Sequence, residues 1–147
     1  MKQRYVVGID PGEHTGVAVY DRDYKQFLAV RTMDFWTAFE FVTANYEASE
    51  TLLVIENGSL NKFTNRQYTE DKSSATGERI SRNVGMNNRE SDLLIEGLRR
   101  QGFEVREFKP ISGNGKWSPD QARRYTGYTG RTNEHVRDAM RLAFIYI

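Results

Sequence analysis

The chain has 147 residues and no cysteine, which excludes a disulfide framework, a thiolate metal site and a thiol nucleophile. Its length suits one domain with a core of its own, and its apolar runs are far shorter than the roughly 20 residues that cross a bilayer. The net charge of +1 is unevenly spread, because residues 1–60 hold 5 Lys/Arg and 9 Asp/Glu whereas residues 61–131 hold 14 and 9. The opening sequence MKQRYVVGID lacks the apolar run of a signal peptide, so we expect a cytoplasmic protein without a membrane segment.

Three consecutive strands are predicted at the N-terminal end, over Tyr5–Asp10, Thr15–Tyr20 and Gln26–Thr32. The turn signal Asp10-Pro11-Gly12 ends the first strand and allows a tight return into the second. The short connections predict antiparallel pairing of all three strands.

A helix and a fourth strand follow. Asp34–Tyr46 has apolar residues at helical spacing, and Thr51–Glu56 is an apolar run typical of a buried strand. A crossover from strand to helix to strand predicts that this fourth strand lies parallel to its partner. Beyond it, the polar sequence from Asn57 to about Asn88 predicts a long loop with partial helix.

The remaining sequence predicts a helix over Glu90–Gln101, a strand over Phe103–Phe108 and two further helices. Leu93, Leu94 and Leu98 are expected to face the core in the first of these helices, with Gly102 as its C-terminal cap. Ser118, followed by proline at the first helical position and by Gln121, predicts a short helix that runs to about Tyr125. The last helix should begin near Asn133. The chain therefore predicts a single α/β domain over residues 1–147, with a five-stranded mixed sheet flanked by helices.

Two carboxylates stand at predicted strand ends. Asp10 closes the first strand and Glu56 the fourth. If these two strands are parallel neighbours, both acids lie at the same edge of the sheet. A plain turn at Asp10 and a surface acid at Glu56 are the alternatives for each residue alone. Because two like charges at close range need a cation or a proton to offset them, the pair points to a metal site.

The final helix adds two more candidates. Asp138 lies at the margin of its apolar stripe, and His135 lies one turn earlier on the same flank. Both side chains could reach a shared metal ion or water, although a histidine near a helix start is more often a capping or surface residue. Glu134 is a further acid nearby, and its position predicts greater exposure.

Three segments resemble, in chain order, the motifs of the RuvC-type Holliday-junction resolvases, a branch of the RNase H-like superfamily. GIDPGEHTGVAVYD is similar to the family's opening strand with its first catalytic Asp, VIEN to the strand with its Glu, and HVRDAMRLAF to its closing helix. The resemblance implies the RNase H-like fold, with three antiparallel strands and then parallel ones. It also implies that Asp10, Glu56, His135 and Asp138 are catalytic and bind two Mg²⁺ ions, with Mn²⁺ as a substitute.

The activity implied by this resemblance is Mg²⁺-dependent nicking of four-way DNA junctions by a homodimer, without a nucleotide cofactor. Basic and aromatic residues after Glu56 and along GNGKWSPDQARR would contact phosphates or stack on unpaired bases, although a solvated loop explains the first group nearly as well. These candidate nucleic-acid contacts are Lys62, Phe63, Arg66, Tyr68, Arg82, Lys109, Lys116, Arg123 and Arg124.

Three alternatives remain at the level of sequence. A related nuclease could act on structured RNA or flap DNA, and a domain of the same fold could bind nucleic acid without cutting it. The pattern around Asp10 also resembles the first phosphate loop of actin-like ATPases, but those enzymes need a second, similar half that this chain does not contain.

Overall fold

A computed structural model of the protein describes residues 2–60 and 74–147, with backbone alone for residues 74–84, 86 and 87. Its strands form one mixed sheet in the order β3-β2-β1-β4-β5, in which β1 pairs antiparallel with β2 and parallel with β4. β2–β3 is antiparallel and β4–β5 parallel, as the sequence predicts. The strands are β1 (Tyr5–Asp10), β2 (Thr15–Asp21), β3 (Gln26–Met33), β4 (Thr51–Glu56) and β5 (Glu104–Phe108).

Within the described ranges, four α-helices flank this sheet: α1 (Phe35–Asn45), α2 (Ser74–Arg100), α3 (Pro119–Thr126) and α4 (Glu134–Phe144). Each of the five strands and three of the helices lies within two residues of its predicted bounds. The α/β class and the mixed five-stranded sheet are therefore confirmed.

Helix α2 departs from the prediction in its extent, because it begins at Ser74 and runs without a break through residues up to Asn88, for which a loop with only partial helix was expected. The polar sequence carries no apolar stripe there, yet it contains no proline. A helix that is already held by buried side chains can extend into such a sequence at little cost, because propagation is far easier than nucleation. The prediction that Leu93 faces the core is also wrong, because its side chain is 46% exposed and Ile95 is buried instead.

The sheet is covered on both faces. Alternate side chains of β1 and β4, such as Val7 and Leu53, pack against α1 and α2, whereas Val6 and Val54 pack against α3 and α4. A strand that is buried on both sides reads as a continuous apolar run, which is why β1 and β4 were recognisable in the sequence.

Helix α4 lies unusually close to the sheet. A Cβ atom at Gly8 of β1 would overlap the carbonyl oxygen of Ala139, and one at Gly16 of β2 would overlap the carbonyl oxygen of His135. The two glycines therefore let the helix backbone rest directly on the strands. This contact fixes where the N-terminal turns of α4 stand relative to the end of β1.

None of the helices in the described ranges combines the length and apolar character that a membrane crossing requires.

Candidate functional site: an acidic cavity at the sheet edge

Asp10 and Glu56 lie side by side at the carboxyl-terminal edge of the sheet. Parallel pairing aligns Ile9 with Ile55, so the next residue of each strand is one of these two acids. Neighbouring strands lie about 4.8 Å apart. Since side chains alternate along a strand, both acids share the sheet face of Val6 and Val54, which is the face covered by α4.

Helix α4 supplies the other two predicted residues. Its N-cap is Asn133, whose side chain accepts a hydrogen bond from the backbone N–H of Val136 and donates one to the hydroxyl of Thr32 on β3. This cap and the close contact at Gly16 hold the first turn over the end of the sheet. His135 and Asp138 thereby reach the two strand-end acids.

All four residues line one cavity of about 830 Å³, which we call the acidic cavity. Asp10 and Asp138 are nearly buried, with side-chain exposures of 10% and 8%, whereas His135 is 47% exposed. The acidic cavity is lined by Asp10, Pro11, Gly12, Glu13, His14, Glu56, Glu90, Lys116, Glu134, His135 and Asp138.

Two nitrogen-bearing side chains, Lys116 and His135, contact these carboxylates. The Nζ atom of Lys116 lies 3.3 Å from Oδ2 of Asp138 and also bonds to Glu134. The Nδ1 atom of His135 lies 3.5 Å from Oδ2 of Asp10. Glu134 is 60% exposed at the rim, as its helical position predicts.

Burial and mutual repulsion make the negative charge in the acidic cavity costly. Burial, and then the charge of Asp138, raise the pKa of Asp10 to about 7 in spite of Lys116. Burial, and then the charges of Asp10 and Asp138, raise the pKa of Glu56 to about 8. A single lysine thus leaves the cluster short of positive charge near neutral pH.

Lys116 itself is held as a cation. Its hydrogen bond to Glu134 and its proximity to Asp138 raise its pKa in spite of partial burial. The same hydrogen bond lowers the pKa of Glu134. The ammonium group therefore remains charged throughout the physiological pH range.

The donor chemistry of the acidic cavity fits a hard divalent cation. Three carboxylates and a histidine offer the oxygen and nitrogen ligands that such ions accept, and a cation would offset the charge that burial makes costly. Among the described residues, no three His, Asp or Glu side chains are already arranged so that they could hold one ion. Ligation would therefore require these side chains to approach one another more closely.

The predicted nucleic-acid contacts have different outcomes. Lys116 lies among the carboxylates of the acidic cavity, where sequence reasoning did not place it. Lys109, Arg123 and Arg124 are exposed, as a surface contact requires. Lys62, Phe63, Arg66 and Tyr68 lie outside the described residues, as does the side chain of Arg82.

The acidic cavity also contains residues that sequence reasoning missed. Glu90 reaches it from α2, and its buried Oε2 atom has no hydrogen-bond partner in the described part of the chain. His14 contributes from the turn after β1, with its ring centroid 6.1 Å from that of His135. Arg141 lies one turn beyond Asp138 and outside the lining of the acidic cavity, and its charge partly offsets the rise in the pKa of Glu56. Of these three residues, only Arg141 carried a signal in the sequence, because a residue three positions after Asp138 on a helix lies on the same face.

Comparison of the chain with protein-family models and with curated proteins yields no match.

Proposed function

We propose that this protein is an Mg²⁺-dependent endonuclease with an RNase H-like fold, which nicks four-way DNA junctions as a homodimer. The observation that supports this proposal is the acidic cavity, in which Asp10, Glu56 and Asp138 come together from β1, β4 and α4. Carboxylates from three distant parts of the chain repel one another in this cavity. Side chains that served only to pack the fold would not need to carry these charges. The resemblance of the three segments to resolvase motifs selects the substrate.

The residues of the acidic cavity have distinct parts in phosphodiester hydrolysis. Asp10, Glu56 and Asp138 would hold Mg²⁺, with His135 as a further ligand or a proton carrier. Bound Mg²⁺ activates an attacking water and offsets the charge on the leaving 3′ oxygen. His135, half exposed and 3.5 Å from Asp10, can pass a proton between the cavity and solvent.

Lys116 complements these acids. If Asp138 holds the ion, the ammonium of Lys116, which lies 3.3 Å from that carboxylate, would be available to pair with a phosphate oxygen of the strand that is cut. The positive charge of Lys116 would then have a negative partner both with and without the bound strand. Lys116 would thereby help to seat a polyanion in a cavity whose lining is otherwise mostly acidic.

The test is cleavage of a synthetic four-way junction, a linear duplex, a flap and a structured RNA, each with Mg²⁺, with Mn²⁺ and with a chelator. The wild type should nick the junction symmetrically with either metal and not with the chelator. Asp10→Asn should abolish cleavage while it retains junction binding. Asp120→Asn is the matched control, because this exposed acid of α3 lies outside the acidic cavity.

Each other result has a defined meaning. Junction binding without cleavage under any metal would replace the enzyme by a silent nucleic-acid-binding domain. Cleavage of RNA or flap DNA alone would refute junction resolution and leave the metal-dependent nuclease. Cleavage that persists in Asp10→Asn would refute the acidic cavity as the site.

A further inference from the structure

A second cavity, of about 240 Å³, lies between the end of α3 and the start of α4. We call it the arginine cavity, because Arg123 of α3 and Arg131 of the following turn both line it. The wall of this cavity also includes Tyr128, Gly130 and Thr132. Its lining includes no carboxylate. The arginine cavity therefore has the opposite charge to the acidic cavity.

Within the described residues, the two arginines of this cavity are not held by carboxylates, as some arginines elsewhere in the chain are. Arg99, Arg100 and Arg106 each pair with a glutamate on α2 or β5. In the part of the chain that the structure describes, neither Arg123 nor Arg131 has an ion-pair partner. Two guanidinium groups that line one small cavity make its wall positively charged, and an anion bound between them would offset that charge. Guanidinium groups also match phosphate geometry through paired hydrogen bonds.

The backbone around the arginine cavity is shaped by two glycines. Gly127 ends α3 with φ of 73°, a left-handed conformation that turns the chain back on itself. At Gly130 a Cβ atom would overlap the end of the Tyr128 ring, so a side chain there would displace this ring from its present position. The fold-back places the Tyr128 ring and the 129–132 backbone at the same opening as Arg123.

Arg137 connects the two cavities. Its Nη1 atom donates hydrogen bonds of 3.2 Å to the carbonyl and hydroxyl oxygens of Thr132, and its Nε atom donates one of 3.0 Å to the carbonyl oxygen of Trp117. Thr132 lines the arginine cavity, and Trp117 follows Lys116 of the acidic cavity. One side chain thus fixes the wall of each cavity relative to the other.

We infer that the arginine cavity binds a phosphate group, and, resting on the proposed function, that this phosphate belongs to the nucleic-acid strand held at the acidic cavity. Thr132 lines the arginine cavity and His135 lines the acidic cavity, and the Cα atoms of these two residues are at most about 11 Å apart because they are three positions apart in the chain. The walls of the two cavities are therefore close enough for one strand to pass both within a few nucleotides. A strand that must approach a cluster of acids needs such a cationic anchor nearby.

The basic residues of α3 differ in their surroundings, although nothing in the sequence separates them. Arg123 lines the arginine cavity, whereas the guanidinium of its neighbour Arg124 lies over the Tyr125 ring, 6.0 Å from its centroid. Arg131 was not among the predicted contacts. The phosphate ligand is therefore assigned to Arg123 and Arg131 together, and not to the basic run as a whole.

The first measurement is binding of a labelled four-way junction in chelator at several salt concentrations. Arg123→Gln/Arg131→Gln should weaken binding about tenfold and reduce the slope of log K against log salt by about 1, because one phosphate contact is lost. Arg100→Gln/Arg106→Gln removes the same charge from exposed side chains on α2 and β5 and should change affinity less than about twofold. Arg123→Lys/Arg131→Lys keeps the charge without the guanidinium geometry, so its affinity should fall between the wild type and the glutamine variant.

The second measurement is titration with inorganic phosphate, followed by the backbone amide signals of Gly130 and Thr132. These signals should shift in the wild type and in the Arg100/Arg106 variant, and not in Arg123→Gln/Arg131→Gln. Phosphate shifts without junction binding would support the arginine cavity and refute the proposed function. Unchanged affinity and salt slope in Arg123→Gln/Arg131→Gln would overturn the inference. An equal loss of affinity in Arg100→Gln/Arg106→Gln would overturn it as well. Neither result would bear on whether the protein cleaves junctions, which the cleavage assay tests separately.

Discussion

Asp10→Asn is expected to stabilise the protein at neutral and alkaline pH while it removes the proposed metal ligand. The carboxyl of Asp10 has a pKa of about 7 in the folded protein, against 3.8 for an ordinary aspartate, chiefly because it is buried. The folded state therefore binds this proton more tightly than the unfolded chain does. Stability falls as the pH rises from about 4 to about 7, and the full penalty remains above that range.

The magnitude follows from the displacement of the pKa. Each pKa unit corresponds to about 1.4 kcal/mol, so the change from 3.8 to about 7 corresponds to on the order of 4 kcal/mol at alkaline pH. The contact of 3.5 Å to His135 opposes this gain, but His135 is half exposed and such a pair is worth less than about 1 kcal/mol. We expect Asp10→Asn to gain about 2 to 3 kcal/mol at alkaline pH, or a Tm increase of roughly 5–10 °C.

The assay is thermal and urea unfolding in chelator across the range from about pH 4 to about pH 8. The difference in stability between Asp10→Asn and the wild type should grow with pH and vanish near the acidic end. Millimolar Mg²⁺ should then stabilise the wild type more at alkaline pH and have a smaller effect on the variant. Asp120→Asn should show neither effect, because its carboxyl is exposed and outside the acidic cavity.

Two results would refute this reasoning. A variant that is less stable than the wild type by the same amount at every pH would show that Asp10 contributes packing or hydrogen bonds, and not a charge penalty. Equal stabilisation of both proteins by Mg²⁺ would show that the ion binds elsewhere.

Three further substitutions test the scaffold. Gly8→Ala should cost about 3 kcal/mol or more in urea unfolding, because its Cβ would overlap the carbonyl oxygen of Ala139 and push α4 from the sheet. Ser118→Ala should cost about 1 kcal/mol through the lost capping box of α3, without a change in junction affinity. Asp21→Asn should cost about 2 kcal/mol near pH 7, since the buried carboxylate accepts hydrogen bonds from Arg4. Although burial opposes its charge, these bonds lower the pKa of Asp21, so this cost should disappear as the pH falls below the ordinary aspartate value.

Local features of the fold were predictable from sequence. The buried strands β1 and β4 are apolar runs that end in an acid, and Ser118 with Gln121 is a capping signal that depends on four consecutive residues. The common direction of β1 and β4 then follows from the crossover rule, because β3 runs parallel to β1 and the crossover makes β4 parallel to β3. That β4 lies next to β1, and so brings Glu56 beside Asp10, was a condition of the prediction that only the assembled sheet establishes.

The rest depended on contacts between distant segments. Lys116 could be recognised as basic, but its position beside Asp138 depends on how the loop before α3 meets α4. The same holds for Glu90, which reaches the acidic cavity because α2 extends further than its pattern indicates. Gly8 lies inside an apolar run, and nothing in that run reveals that a helix backbone rests on it.

The contact of α4 with Gly8 and Gly16 links the geometry of the acidic cavity to global stability. Because no side chain separates this helix from the strands beneath it, α4 cannot lift away without exposing Ala139 and Met140, which are fully buried. Amide hydrogens in the middle of α4 should therefore exchange only through whole-molecule unfolding. Any conformational gating of the proposed reaction should therefore not involve α4, because this helix has no inexpensive open form.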